Sequence, residues 1–177
     1  TYLDTAQSYG KGNSEKNVGK IPAANGRRKD CFIVTKCGNH KTGPFTESLE
    51  TSFERLQTDY VDLYYLHNLG DPERLDNELK ATAEKLKKEK KIRYFGFSSH
   101  HAGMVPTLNR AAEVGFVDVI MLKYNFKSYE DKELNKALDR CAKAGIGLVA
   151  MKTQQGAEES FQDRVNPFKE KGFNQYQ

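Results

Sequence analysis

The chain has 177 residues, 37% of them hydrophobic and 29% charged, a balance that supports one buried core and one domain rather than two. Its 28 lysines and arginines nearly cancel its 24 aspartates and glutamates, and the formal charge of +4 carries no footprint for nucleic acid. Three cysteines, Cys31, Cys37 and Cys141, form an odd set without C-x-x-C spacing, which argues against a disulfide framework or a zinc site, and no apolar run approaches the roughly 20 residues of a membrane span, so a reducing, cytoplasmic setting is expected.

Thr1-Tyr2-Leu3-Asp4 reads as the end of a strand, whose preceding segment, with any leader on it, is not among these residues. Cys31 to Lys36 is the first complete strand pattern, rich in β-branched and aromatic residues. Thr46 and Glu47 then predict the start of a helix with Leu49, Phe53 and Leu56 on one face. Tyr60 to His67 predicts a strand. Asp71-Pro72 predicts the opening of a longer helix with Leu75, Leu79, Ala83 and Leu86 on one stripe, ending in the basic run Lys85 to Lys91, which reads as a solvated helix terminus. Ile92 to Ser98 predicts a strand, followed by a helix with Val105, Leu108 and Ala112 inward and Gly115 as its stop. Val117 to Tyr124 is a further strand, Asp131 to Lys143 a helix with Leu134, Leu138 and Cys141 aligned, and Ile146 to Met151 the last strand. Gln154 to Gln177 is polar, with Phe161, Val165, Phe168 and Phe173 too sparse to mark a strand.

Strands alternating with helices predict parallel βα units, arranged either as an open doubly wound sheet or as part of an eight-stranded barrel. The G-x-G-x-x-G fingerprint of an open dinucleotide-binding sheet does not occur, which favours the barrel. Catalytic groups of such barrels sit at the carboxyl ends of the strands, and three consecutive strands end at Asp4, Lys36 and His67, with Tyr9 five residues past the first. Each has an ordinary explanation by itself: a turn cap, a solvated amine, an imidazole on a backbone carbonyl, a packing ring. Four complementary groups at adjacent strand ends are harder to dismiss.

The chain resembles the aldo-keto reductases through Asp4-Thr5-Ala6-x-x-Tyr9-Gly10 with Ser14-Glu15, Thr35-Lys36, Arg55-Leu56 on to Asp59-Tyr60-Val61-Asp62-Leu63 and Leu66-His67, Ile92 to Ser98, Tyr124-Asn125, and Gly145 to Lys152. These markers run from Thr1 to about Thr153 in family order. The resemblance implies an α/β fold, the (β/α)8 TIM-type barrel, incomplete here at six of eight units. One domain spans 1–177, with 1–153 the matched part. It further implies NADPH or NADH as cofactor, a small-molecule aldehyde or ketone as substrate, no nucleic-acid or membrane partner, and a catalytic tetrad of Tyr9, Lys36, Asp4 and His67.

In that tetrad Tyr9 supplies the proton to the carbonyl oxygen as hydride attacks carbon, and His67 hydrogen-bonds the carbonyl. Lys36, held charged by Asp4, is expected to lower the Tyr9 pKa. For the cofactor, Ser98 matches the residue that touches the carboxamide in the family. Ser99 stands where asparagine is common, Met121 where glutamine is common, and Met151 where a tyrosine often stacks on the ring, a pattern similar to the predicted-oxidoreductase branch. No metal is expected, since His100 and His101 lack convergent co-ligands, and a metal-dependent hydrolase ranks last. The first and last barrel strands are not legible, so the residues are expected to be a fragment, and open sheet edges make self-association an expectation. The alternative is a cofactor-binding regulatory or interaction subunit, which Met121, Met151 and the missing closing strand favour.

Overall fold

The computed structural model describes residues 1–154, and the segment from residue 155 on, which holds most of the polar tail, lies outside the described residues. Six strands, β1 (Tyr2–Asp4), β2 (Phe32–Cys37), β3 (Val61–Leu66), β4 (Ile92–Ser99), β5 (Val119–Lys123) and β6 (Gly147–Met151), form one sheet in which every neighbouring pair is parallel. Their spatial order is their chain order, with β1 and β6 at the edges among the described residues. Five helices intervene: α1 (Asn13–Asn25), α2 (Thr42–Leu56), α3 (Asn77–Lys88), α4 (Val105–Val114) and α5 (Lys132–Lys143).

The two faces of the sheet differ in what covers them. Phe45, Leu49 and Leu56 of α2, Leu79 and Leu86 of α3, Leu108 of α4 and Leu134 and Cys141 of α5 all bury against Ile33, Tyr64, Phe95 and Ile120 in one large core. On the opposite face Val34, Leu63, Tyr65 and Met121 form a separate small cluster with no helix among its members. Helices on one side only, over a sheet of sequential parallel strands, are the pattern of a curled half-barrel, whereas a doubly wound sheet is covered on both faces. The open-sheet alternative is thereby excluded.

Three helices depart from the sequence reading. α1 carried no legible amphipathic pattern, and Gly19 and Pro22 lower its intrinsic propensity. It exists because Gly19 lets its backbone lie on the last turn of α2, where a Cβ would stand 2.5 Å from the Leu56 carbonyl. α2 begins at Thr42, before Thr46, because Pro44 falls in the first turn, where its missing N–H costs nothing, and Phe45 buries. The single helix expected from Asp71 is two pieces. Asp71 caps a short 3-10 turn, Pro72–Arg74, by accepting from the Glu73 N–H at 3.0 Å, and Asp76 caps α3 by accepting from the Leu79 N–H at 2.8 Å.

At the amino-terminal end of the sheet, the Asp62 carboxylate accepts from the Ile33 N–H at 2.9 Å and from Arg93 at 2.7 Å, and pairs with Arg28 at 3.0 Å. At Gly96 a Cβ would stand 1.8 Å from the Val119 carbonyl oxygen, so β4 and β5 approach this closely only because that residue has no side chain.

Candidate active site

Side chains of register partners in parallel strands point to the same face, so the pairings locate each candidate. Lys36 pairs with Tyr65, Tyr65 with Gly96, Ser98 with Met121, and Lys123 with Met151. Lys36, Ser98, Met121 and Met151 therefore share the helix-free concave face, as does Asp4, whose partner Val34 lies two residues before Lys36 on β2. Ser99 alternates to the other face, where its hydroxyl accepts from the His101 N–H at 3.3 Å, so the structure does not bring it to the candidate site.

Lys36 is the anchor, with only 1% of its surface exposed. Its Nζ donates to both Asp4 carboxylate oxygens at 2.7 Å and to the Thr5 carbonyl at 2.8 Å, three acceptors for the three donors of an ammonium. Burial pulls the Lys36 pKa below its ordinary 10.5, and the adjoining Asp4 charge offsets part of that fall. The Thr5 carbonyl was not singled out from the sequence, since nothing in a residue's type marks its backbone oxygen as an acceptor.

Tyr9 follows β1 on a short turn, Tyr9–Gly12, and the residue is 42% exposed. Lys36 Nζ lies 5.1 Å from the ring centroid, and the His67 ring stands edge-on at 5.7 Å and 81°. The segment bearing Tyr9 is laced down on two sides. Thr5 donates through its hydroxyl to Ser14 at 2.7 Å, and Gln7 donates through its amide to the Ser48 carbonyl and, at 2.9 Å, to the Ser52 hydroxyl of α2. His67 is fixed by its own backbone: its N–H donates to the Cys37 carbonyl at 2.8 Å, and its carbonyl lies 2.9 Å from His40 Nε2, which must therefore carry a proton.

The expected lowering of the Tyr9 pKa is corrected by this geometry. The phenol is raised above its ordinary 10.0, first by burial and then by the Asp4 charge, because the ammonium lies beside the ring and directs its protons at Asp4 and Thr5. Tyr9 holds its proton at neutral pH. The His67 pKa is lowered by burial first, then by Lys36 and His100, so its imidazole is neutral there. A protonated phenol, a neutral imidazole and a buried ammonium thus meet at the carboxyl ends of β1 to β3, an arrangement that can donate hydrogen bonds and one proton to an anionic oxygen.

The Ser98 hydroxyl is buried at the end of β4 and accepts from the Asn68 N–H at 3.0 Å. Met121 is buried within the small cluster and Met151 is half-buried against it, so the thioethers extend an apolar floor on the concave face toward β6. Among the described residues no group of three or more His, Cys, Asp or Glu side chains is placed to hold a metal, and no helix is long and apolar enough to cross a membrane.

The family model of the aldo/keto reductase family matches residues 1–174. Among curated proteins, L-galactose dehydrogenase of Arabidopsis thaliana is 31% identical over 174 residues, covering 89% of this chain and 54% of its own length. The NADP(+) aldo-keto reductase yakc of Schizosaccharomyces pombe is 32% identical over 142 residues, covering 73% of this chain and 41% of its own. The chain thus spans about half the length of the curated relatives it matches. Among solved structures, an aldo-keto reductase from Klebsiella pneumoniae in complex with NADPH superposes with a TM-score of 0.72 at 28% identity, covering 98% of this chain and 62% of that one. The holo form of an aldo-keto reductase from Bacillus halodurans gives 0.69 at 30% identity, covering 84% and 51%. One-sided helices over sequential parallel strands, charged groups gathered at the strand ends, and a family match along nearly the whole chain lead to one assignment: the chain belongs to the aldo/keto reductase family.

Proposed function

We propose that this chain serves an NAD(P)H-dependent oxidoreductase that reduces an aldehyde or ketone to an alcohol, with Tyr9 as the general acid. The observation that carries the reading is the meeting of Tyr9, His67 and the Lys36–Asp4 pair at neighbouring strand ends. The concave face beside them suits a nicotinamide: Met121 and Met151 give an apolar floor for a planar ring, and the Ser98 hydroxyl, accepting from the Asn68 N–H, retains its own hydrogen for a carboxamide oxygen. Ser99 has no place in this set, since its side chain faces the helices. NADPH is the first cofactor to test, because the Klebsiella relative was solved with it.

When bound, the reduced cofactor supplies the hydride that adds to the carbonyl carbon. The chain's own residues handle the oxygen. His67, neutral, donates a hydrogen bond that sets the carbonyl's approach. Tyr9 transfers its phenolic proton as negative charge develops on that oxygen, giving the alcohol and leaving a phenolate that takes a proton back from solvent at its exposed edge. The Lys36 ammonium, held in place by Asp4 and the Thr5 carbonyl, offsets part of the Asp4 charge that the phenolate meets. The raised resting pKa fits a donor that must be protonated at the start of each cycle.

Titrating the full-length protein with NADPH and NADH, then following absorbance with a panel of aldehydes and ketones, tests the reading. Tyr9→Phe is expected to keep the cofactor affinity and to lower kcat by about 10²- to 10⁴-fold. Near-parental turnover in that variant removes Tyr9 from its role. Cofactor binding without turnover across the panel in the parent favours the second reading, a cofactor-binding regulatory subunit, for which the thioethers at Met121 and Met151 speak.

A further inference from the structure

Beside the turn that carries Tyr9 lies a second charge pair, its carboxylate buried and its guanidinium partly exposed, that carbonyl reduction does not use directly. The Glu15 carboxylate, fully buried in the first turn of α1, accepts from the Thr35 hydroxyl at 2.7 Å and from Arg55 Nη1 at 3.1 Å. Thr35 adjoins Lys36 on β2, and Arg55 sits in the last turn of α2, so one carboxylate joins three elements at the base of the site. The same guanidinium fills the space beside Gly12: a Cβ there would stand 2.7 Å from Arg55 Cζ. Gly12 closes the turn that carries Tyr9, and Gly10, Lys11 and Gly12 are left-handed in succession at φ 56°, 54° and 90°. Three left-handed residues in succession, one of them a lysine, make an uncommon turn. Burying a carboxylate is an inefficient way to gain stability, since apolar packing of the same volume often does as well or better, whereas in some proteins a buried charge serves to fix one geometry.

We propose that Glu15 and Arg55 are positioning residues that lock the Tyr9 turn against β2 and so set the distance between the phenol and the Lys36–Asp4 pair, with Gly12 as the seat of the guanidinium. The role assigned to Tyr9 above underlies this inference, and the test separates the two. In the full-length protein, Glu15→Gln removes the charge and keeps the shape, while Gly12→Ala leaves both charges but displaces the guanidinium and, at φ 90°, also strains the turn, so Glu15→Gln carries the decision. Four quantities are measured in each: thermal unfolding, NADPH dissociation constant, kcat and KM for the best carbonyl in the panel, and the His67 ring resonances, which sense the Tyr9 ring edge-on to them. Tyr9→Ala gives the reference shift for loss of that ring.

The expected result is an NADPH affinity within about twofold of the parent, a KM changed by no more than that, and a kcat lowered roughly 10- to 100-fold. The His67 signals are expected to move toward their Tyr9→Ala positions. Parental kcat with parental His67 signals in a folded variant overturns the proposal. So does a loss shared equally by cofactor affinity and kcat in Glu15→Gln, which assigns the pair to general stability. If the parent turns over no carbonyl, the oxidoreductase reading fails by itself, and the His67 signals still decide the clamp: a shift supports it and none overturns it.

Discussion

Asp4→Asn isolates what the carboxylate does for the buried lysine. In the parent all three Lys36 donors are accepted, two of them by Asp4 oxygens at 2.7 Å. The amide keeps one oxygen as an acceptor and turns its N–H₂ toward the ammonium, leaving a cation that is 1% exposed without a counter-charge. Breaking a buried pair in this way costs about 3 to 5 kcal/mol. The lower end, about 3 kcal/mol, is expected at pH 7, because 31% of the Asp4 side chain is exposed and water takes up part of the orphaned charge.

The pH dependence has a definite sign. The folded Lys36 pKa already lies below its ordinary 10.5, so between the two values the unfolded chain binds more protons and stability rises with pH. The penalty for burying the ammonium is fully present below the folded pKa and gone above 10.5. Losing Asp4 lowers the folded value further and widens that window, so the deficit of Asp4→Asn relative to the parent shrinks between pH 7 and the ordinary lysine pKa. Urea unfolding at pH 7 and pH 10 in the same salt, with m-values compared, measures it. A deficit under about 1 kcal/mol at pH 7, or one equal at both pH values, refutes the account of Lys36 as an ammonium dependent on Asp4. Lys36→Met is expected to cost less, about 1 to 2 kcal/mol, because it removes the desolvation penalty and leaves the partly exposed Asp4 to water.

Gly96→Ala places a Cβ 1.8 Å from the Val119 carbonyl oxygen and 2.9 Å from Tyr65 Cε1, and since the first is backbone, β4 and β5 must separate. A loss of at least about 3 kcal/mol in denaturant unfolding is expected, and a loss under about 1 kcal/mol contradicts the strand spacing. Tyr65→Phe removes a buried hydroxyl that has no hydrogen-bond partner among the described residues, and is expected to be neutral or stabilising by up to about 1 kcal/mol in the same assay. Destabilisation by more than that assigns the hydroxyl a partner. Asp62→Ala leaves the Ile33 N–H without its acceptor and Arg28 and Arg93 without their counter-charge, and is expected to cost about 3 kcal/mol, with Arg93→Ala costing much less because its side chain is 57% exposed.

The strands were legible because each is a short β-branched or aromatic run between turns, and β2 and β3, buried along nearly their whole length, show little alternation to misread. Tyr60 to His67 and Val117 to Tyr124 overran β3 and β5 by one or two residues at each end, where pairing stops before the apolar run does. α1 was not legible: its Gly19 is explained by the close approach of α2, a contact absent from the local pattern. Placing Ser98 and Ser99 on opposite faces required the register, since two adjacent serines look alike until β5 pins one beside Met121.

By themselves the residues determined the order of the βα units and the types of group that strand ends deliver, because both follow from spacing within a few positions of the chain. Tertiary structure alone decided how deeply Lys36 is buried, that Tyr9 binds its proton more tightly than a free phenol, and that Glu15 meets Arg55. Each of these rests on neighbours far apart in the chain, 32 residues for Lys36 and Asp4 and 40 for Glu15 and Arg55. Desolvation and charge act across space, and only the folded sheet specifies those distances.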